Sequence, residues 1–592
     1  MDPLNEYVAR RDRWRAEQQR SQRQFIHFGN WRLAIAAATA VMAYFSVARW
    51  AFSAWWLLVP AVVFVMLVAL HYRVVRRRTF AERGIRFYER GIARLNDKWI
   101  GTGTSGDQFR DPEHLYSDDL DIFGKGSLFE LIATARTASG ERRLAEWFRS
   151  PAEHDEAIRR QEAVGELTSR LDLREDIALL GDDIRAEVHE LALGLWGSAE
   201  PVVFAPSLRI AALLLAILGL AALIAFLARV LPITPFALVL AANLIIGYAL
   251  RKRVKQVADG VDTPGHDLRI FSLLLQRLEL EQFEAPRMKQ LRAALNVEGL
   301  PASRRIAQLE RWIDVLDSSD HLLVRLIQPA LLWREQAAMG IEAWRRINGK
   351  YIGAWIAAVA EFEAFSSLAA LKFERPEWSF PAFLDDEARF EAQALRHPLM
   401  SQTRCVPNDV AISSGLRLLI VSGSNMSGKS TLLRSIGLNA VLAWAGGPVA
   451  AKQMSLSPLH VGASVRVVDS LQDNRSRFFA EITRIRAIVE LTRSQPVLFL
   501  LDELLSGTNS HDRRIGGSGI VRALVKAGAI GLITTHDLAL AEIEQDLGPL
   551  AANVHFDDRI QDGRIEFDYR LRPGVVTHSN ALELMRAIGL EV

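Results

Sequence analysis

The chain has 592 residues, half of them hydrophobic, a formal net charge of +2 and a mean hydropathy of +0.09. That length exceeds what one core fills, so several domains are required, and a charge this close to zero singles out no class of partner. The single cysteine, Cys405, excludes an internal disulfide and a thiolate metal cluster, and fits a reduced thiol in a cytosolic domain.

Residues 1–30 are polar and basic, and read as a helix lying near a membrane surface. Residues 33–48 are apolar, Arg49 interrupts, and 51–70 are apolar again, close to the ~20 residues a bilayer span needs. Trp31, Trp50, Trp55 and Trp56 sit near the ends of these runs, and Arg73 and Arg76-Arg77-Arg78 follow the second. Interfacial tryptophans and flanking arginines predict a transmembrane hairpin over residues 31–72 with both ends in the cytosol. The apolar run starts too late for a cleaved signal peptide, and a second run follows at once. A buried hairpin of a soluble protein is the competing reading.

Residues 73–205 have helical periodicity. They contain Leu115-Tyr116-Ser117-Asp118-Asp119-Leu120-Asp121-Ile122-Phe123-Gly124, a loop expected to lead into two amphipathic helices, the second ended by Pro151. Residues 210–228 and 233–250 form a second apolar pair, a transmembrane hairpin assigned to 206–250 and followed by Arg251-Lys252-Arg253. Four spans make an even count, so the expectation is a multi-pass protein of the cell (inner) membrane, with its N-terminus and C-terminal domain in the cytoplasm. Asn243, inside a span, is expected to join helices. Residues 251–385 return to helical periodicity, with an apolar-striped helix at 355–373, and 386–592 form the last domain.

That domain carries the chemistry. LRLLIVSGSNMSGKST is a buried-strand pattern running into Gly423-Ser424-Asn425-Met426-Ser427-Gly428-Lys429-Ser430-Thr431. Glycines at this spacing let the backbone wrap phosphates against a helix N-terminus. Lys429 would reach the outer phosphates and Ser430 would ligate Mg²⁺. A second apolar run, 497–501, ends in Asp502-Glu503. Two acids at a buried strand end are costly without a cation, so Asp502 is assigned to the Mg²⁺ shell and Glu503 to the attacking water. A third run, 529–533, ends in Thr534-Thr535-His536, which would put a polar sensor beside the γ-phosphate. Strands ending in polar groups at one edge place the ligand where an open α/β sheet binds it. The expectation is an ATPase using ATP and Mg²⁺, with Lys429, Glu503 and His536 catalytic. Near the C-terminus, residues 559–567 read as a hairpin turning at Asp562-Gly563.

These residues resemble the MutS family of DNA mismatch-repair ATPases. Ser422 to Thr431 is similar to that family's T-G-P-N-M-(A/G)-G-K-S-T loop, and the Asn425-Met426 pair separates it from other phosphate loops. Leu501-Asp502-Glu503-Leu504-Leu505-Ser506-Gly507-Thr508-Asn509 resembles its D-E-x-x-x-G-T segment. Ser476-Arg477-Phe478-Phe479-Ala480-Glu481 resembles S-x-F-x-x-E, and Thr535-His536 its T-H. Arg396-His397-Pro398 and Pro407-Asn408 look like the start of its ATPase domain, and the stretch around Asp121 the start of its helical core. The resemblance implies an α/β P-loop NTPase (ABC/MutS-type) domain at the C-terminus, preceded by an all-α MutS-like core and lever region that the transmembrane hairpins interrupt. It also implies a homodimer through the ATPase domain, with Ser476 reaching the partner's γ-phosphate, and DNA as a partner, of a form left open. From the residues alone, Ser476 reads as a helix cap and Glu481 as a solvated helix residue.

The chain departs from the family at its N-terminus, where a basic segment and a hairpin stand in place of a mismatch-reading domain. Phe87-Tyr88-Glu89 lies in an arginine-rich helix and is not a mismatch wedge. Two functions stay open: a membrane-anchored ATPase coupled to DNA, and an ATP-driven switch acting on a protein or membrane partner. A transporter of the ATP-binding-cassette class would need an L-S-G-G-Q segment before the 497–501 strand, and residues 469–481 hold none.

Overall fold

The computed structural model describes residues 2–48, 53–187, 190–262, 268–320, 322–385, 387–424, 426–465, 477–506, 508–536, 541–561 and 564–576. The chain divides into two compact units, Met1–Gly103 and Thr104–Val592.

The first unit is a long antiparallel hairpin of α1 (Pro3–Ala43) and α2 (Leu58–Leu95). The Asp2 side chain caps the Leu4 amide, and Pro3 supplies a preset first helical residue. Tyr7, Trp14 and Ser21 recur every seventh residue, the period of a two-helix seam. The rings of Tyr7 and Tyr88, Trp14 and Phe80, and Phe25 and His71 meet at 5.4, 5.9 and 4.7 Å. Gly84 and Gly91 make room for this seam, since a Cβ there would lie 2.6 Å from Trp14 and 2.4 Å from Tyr7.

Two expected boundaries therefore disappear. Residues 1–30 are not a separate helix on a membrane surface: α1 runs unbroken through position 30, and its polar half packs along α2. The boundary at 72/73 falls inside α2. The seam pattern continues through both positions, and burying it outweighs the change from apolar to polar composition.

The second unit begins with helices that include Ala138–Arg149, His154–Thr168, α3 (Pro206–Leu227), α4 (Thr234–Asp262) and Ala302–Asp317. It is built on α5 (Trp333–Glu374), which starts well before the expected position 355 and buries Trp355, Phe362 and Phe365. The Glu363 carboxylate accepts from the Arg136 and Thr137 amides at 3.0 and 3.2 Å, tying α5 to the capped start of Ala138–Arg149. The expected boundary at 250/251 lies within α4, and Asn243 donates to the Ala330 carbonyl at 2.8 Å, joining two helices as expected.

Among the described residues four helices are long and apolar enough to cross a membrane: Trp55–Leu95, Ser207–Leu227, Thr234–Val261 and Trp333–Glu374. The first three have 11%, 22% and 17% of their apolar stretch buried, and the last 83%. The apolar surface of α5 is thus taken up by its own protein core. The 33–48 run, expected as a span, is not among the four: α1 ends at Ala43, and residues 49–52 lie outside the described ones.

The C-terminal part holds a six-stranded sheet: β1 (Leu418–Ser422), β2 (His460–Ser464), β3 (Val497–Leu501), β4 (Ile530–Thr535), β5 (Ala551–Gln561) and β6 (Arg564–Pro573), in the order β6-β5-β1-β4-β3-β2. All neighbours are parallel except β5 and β6, which form the expected hairpin with Gln561 opposite Arg564. Its turn, Asp562-Gly563, lies outside the described residues. β1, β3 and β4 are buried along their whole length, as parallel strands covered on both faces must be. Helices α6 (Lys429–Trp444), α7 (Arg477–Leu491) and α8 (Ser510–Lys526) belong to the same domain, and a four-stranded sheet of residues 382–383, 453–456, 390–395 and 408–412 adjoins it.

Candidate functional site

The strand order reverses at β1: the chain moves to one side for β4, β3 and β2 and to the other for β5 and β6. Ligands of open α/β sheets bind at such a switch point, outside the carboxyl ends of the strands. Here that position holds the loop from Gly423 to Gly428, leading into α6. Gly423 (φ 150°) and Gly428 (φ 107°) adopt backbone that side chains disfavour, and a Cβ on Gly423 would meet the Ser427 hydroxyl at 2.8 Å. Met426, also at positive φ (71°), is 86% exposed.

The Lys429 ammonium is buried and donates to the carbonyls of Gly423 and Ser424, both at 2.8 Å. Burial pushes its pKa below the ordinary lysine value, and the carboxylates of Glu503 and Asp502 offset this in part. The Ser424 and Ser427 hydroxyl oxygens are buried with no hydrogen-bond partner among the described residues. Buried orphan hydroxyls, a helix N-terminus and a cation held by carbonyls it can release form a cradle that fits a polyphosphate.

Asp502 and Glu503 follow β3. The Asp502 amide donates to the Ser464 carbonyl at 2.9 Å, and the Thr534 hydroxyl donates to its carboxylate. The same Thr534 oxygen accepts from the Glu503 amide at 2.9 Å. Thr534 thus lies beneath the acids and fixes both, while the exposed side chain of His536 reaches the Glu503 carboxylate at 3.8 Å. Glu503 and Leu505 are both left-handed (φ 47° and 57°), a strained arrangement that needs support.

That support comes from Glu481. It is not a solvated helix residue: it is 3% exposed, and its carboxylate accepts from the Leu505 amide at 2.7 Å. Periodicity alone gave no sign of this, because the partner is a backbone group of a distant turn. Glu481→Ala is expected to leave nucleotide affinity within a few-fold and to slow turnover by roughly tenfold to a hundredfold through misplacement of Glu503. Parallel titration and steady-state assays check this.

Gly423, Ser424, Met426, Ser427, Gly428, Lys429, Ser430 and Thr431 come together in the loop and first turn of α6, with Asp502, Glu503 and His536 at adjacent strand ends. Asn425 and Ser476 lie outside the described residues, as does Gly507. A cleft of about 570 Å³ opens on this group, lined by Lys429, Ser430, Thr431 and Glu503 on one side and by Val406, Phe556 and Tyr569 on another. Phe556 and Tyr569 went unnoticed because they lie far along the chain from the phosphate loop, which only the pairing of β5 with β1 brings beside them. Asn408 places one of them, donating to the Tyr569 carbonyl and accepting from the Leu571 amide at 3.0 and 2.7 Å.

The helical region reaches this domain through residues 112–121. Buried Asp119 accepts from the Val465 amide at 2.7 Å and from Arg484 of α7, whose guanidinium also bonds the Pro112 carbonyl. Asp121 pairs with Arg434 of α6 at 3.0 Å. The carboxylates expected in a loop therefore hold both helices that flank the site.

His397, just after residues 390–395, is buried with its Nδ1 accepting from the Leu399 amide at 3.2 Å. Burial, with Arg434 adding to it, pushes its pKa down to about 4. The fold therefore prefers the neutral ring, while the unfolded chain binds a proton near pH 6.5. The stability this gives is fully present above pH 6.5 and lost as pH falls towards 4. The loss is expected to reach about 3 kcal/mol, read as a drop in unfolding midpoint that His397→Asn flattens.

Fold and site define a P-loop nucleotide-binding domain of the ATPase type attached to a helical frame. The family model for MutS domain V matches residues 419–591, and that for MutS domain III matches residues 114–369, a range that includes α3 and α4. The chain belongs to the MutS family. It is 28% identical over 301 residues to the DNA mismatch repair protein MutS of Roseiflexus castenholzii, covering 48% of this chain and 26% of that protein. It is 34% identical over 220 residues to the endonuclease MutS2 of Thermus thermophilus, covering 36% of this chain and 27% of that one. The chain thus spans about a quarter of the length of these curated relatives.

Proposed function

We propose that this protein is a membrane-anchored ATPase of the MutS type, which binds ATP with Mg²⁺ and couples its hydrolysis to DNA. The observation that carries the reading is the convergence of Lys429, Ser430 and Glu503 on one cleft, with the Asp502 carboxylate close enough to act on the Lys429 charge. Lys429 exchanges its two carbonyl partners for phosphate oxygens, and the amides at the start of α6 with the Ser424 and Ser427 hydroxyls supply the remaining donors. Ser430 and Asp502 would hold Mg²⁺, which when bound supplies charge neutralisation on the phosphates. Glu503, aimed by Thr534 and Glu481, orients water and takes its proton, with His536 at its side. The wall of Val406, Phe556 and Tyr569 suits a planar base.

Homodimerisation through this domain, with Ser476 acting in the partner's site, is supported by exposed Met426, Phe479 and Ile515 on the phosphate loop, α7 and α8. Membrane anchoring in the inner membrane, with the ATPase domain in the cytoplasm, is supported by the exposed apolar lengths of α2, α3 and α4. Those same helices favour a second reading, in which the ATP-driven change acts on a protein or membrane partner.

Alkaline carbonate extraction tests the anchoring: retention in the membrane fraction is expected, and release contradicts it. ATP turnover in detergent with duplex, mismatched and branched DNA across a salt series tests the coupling. Stimulation by one DNA form that weakens with salt supports it. A rate indifferent to every DNA selects the second reading.

A further inference from the structure

From residue 18 to residue 81 the chain contains no aspartate, glutamate or lysine, yet it carries eight arginines. Five of them gather at one level of the first hairpin. The contacts of Phe25 with His71, Arg32 with Phe64 and Trp14 with Phe80 set α1 against α2 so that paired residue numbers add to about 96. In that register Arg20 and Arg23 stand opposite residues 76 and 73, beside Arg73, Arg76 and Arg77. At ~1.5 Å per residue all five lie within roughly 6 Å along the axis. Each is exposed, and none has an ion pair or hydrogen bond among the described residues.

The stalk below is different. Arg10 pairs with Glu6, Arg11 with Asp12, Arg15 with Glu89, and Arg78 with Glu82. Above the five, the hairpin exposes Trp31, Leu33, Val62, Val65 and Met66, which are apolar and unpartnered. Arg86 apart, the uncompensated charge of the lower hairpin is thus gathered on one band, at the junction between a largely ion-paired stalk and an apolar end.

We propose that this band is a collar for anionic phospholipid headgroups, resting on the membrane reading given above. Guanidinium forks match phosphate oxygens bidentately, which explains arginine rather than lysine. Clusters of this size next to an apolar segment attract acidic lipids. A band about one helical turn deep surrounds the hairpin at headgroup height. It is too short to track the backbone of a nucleic-acid duplex, and the paired arginines below do not extend it.

The test uses the full-length protein in nanodiscs of phosphatidylcholine alone or with phosphatidylglycerol, with retained lipid counted by native mass spectrometry. The wild type is expected to enrich phosphatidylglycerol. Changing Arg20, Arg23, Arg73, Arg76 and Arg77 together to Gln is expected to cut that enrichment at least tenfold, whereas the same five changed to Lys lose only part of it. Arg10→Gln with Arg15→Gln, which removes paired arginines, should leave it unchanged. Equal enrichment in the wild type and the five-Gln variant overturns the collar. Displacement of bound phosphatidylglycerol by duplex DNA, dependent on the same five residues, overturns it in favour of nucleic acid. Insertion into both nanodiscs without lipid preference removes the collar and leaves the anchoring intact, and failure to insert removes both.

Discussion

Lys429→Ala is expected to abolish measurable nucleotide binding. The ammonium is the one cation buried inside the phosphate loop among the described residues, and its two bonds to the Gly423 and Ser424 carbonyls show that it reaches the cradle's centre. Charge-assisted bonds to phosphate are worth about 1.5–3 kcal/mol each. Losing this cation therefore weakens affinity by roughly a hundredfold or more, readable by titration with a fluorescent nucleotide. The change also deprives two carbonyls of a donor, so Lys429→Met, which keeps the stem, separates lost charge from loop collapse. Affinity equal to wild type in both variants would remove the site.

Glu503→Ala separates binding from chemistry. The Glu503 carboxylate lies at the mouth of the cleft, held by its own amide on Thr534 and by the turn that Glu481 braces. It acts on the Lys429 charge but makes no hydrogen bond to the phosphate loop among the described residues, so affinity is expected to stay within a few-fold of wild type. Loss of a general base costs about 10²–10⁴ in turnover. Single-turnover hydrolysis should therefore fall by at least a hundredfold, and Glu503→Gln should do the same with the shape preserved. Turnover undiminished in the Gln variant would assign the water to another group, and His536 would then be the residue to change.

The parts of this molecule legible in its sequence are those whose cause is local. A phosphate loop needs glycines at fixed spacing between a strand and a helix, and a catalytic acid pair needs a buried strand to carry it, so Gly423 to Ser430 and Asp502-Glu503 stood out. Thr534 was visible only as part of a polar strand end. Its work, fixing Asp502 and the Glu503 amide together, depends on β4 lying beside β3, which pairing alone decides. Glu481, Asp119 and Asp121 stood in stretches the sequence singled out, but what each holds was hidden for the same reason: the group lies on another element. The hairpin shows where hydropathy misplaces boundaries: it divides the chain at 30/31 and 72/73, whereas the seven-residue seam of Tyr7, Trp14 and Ser21 carries α1 and α2 unbroken through both positions. By contrast, α5 has the length and composition of a span, yet its apolar stripe already read as a helix of the helical core, and its burial agrees.

The most direct measurement is steady-state ATP hydrolysis by the purified full-length protein, with and without Mg²⁺, beside the Lys429→Ala and Glu503→Gln variants. The expected result is Mg²⁺-dependent turnover in the wild type, no nucleotide bound by the first variant, and nucleotide bound but not hydrolysed by the second. Turnover of the same size in all three would place the activity outside this cleft and contradict the account.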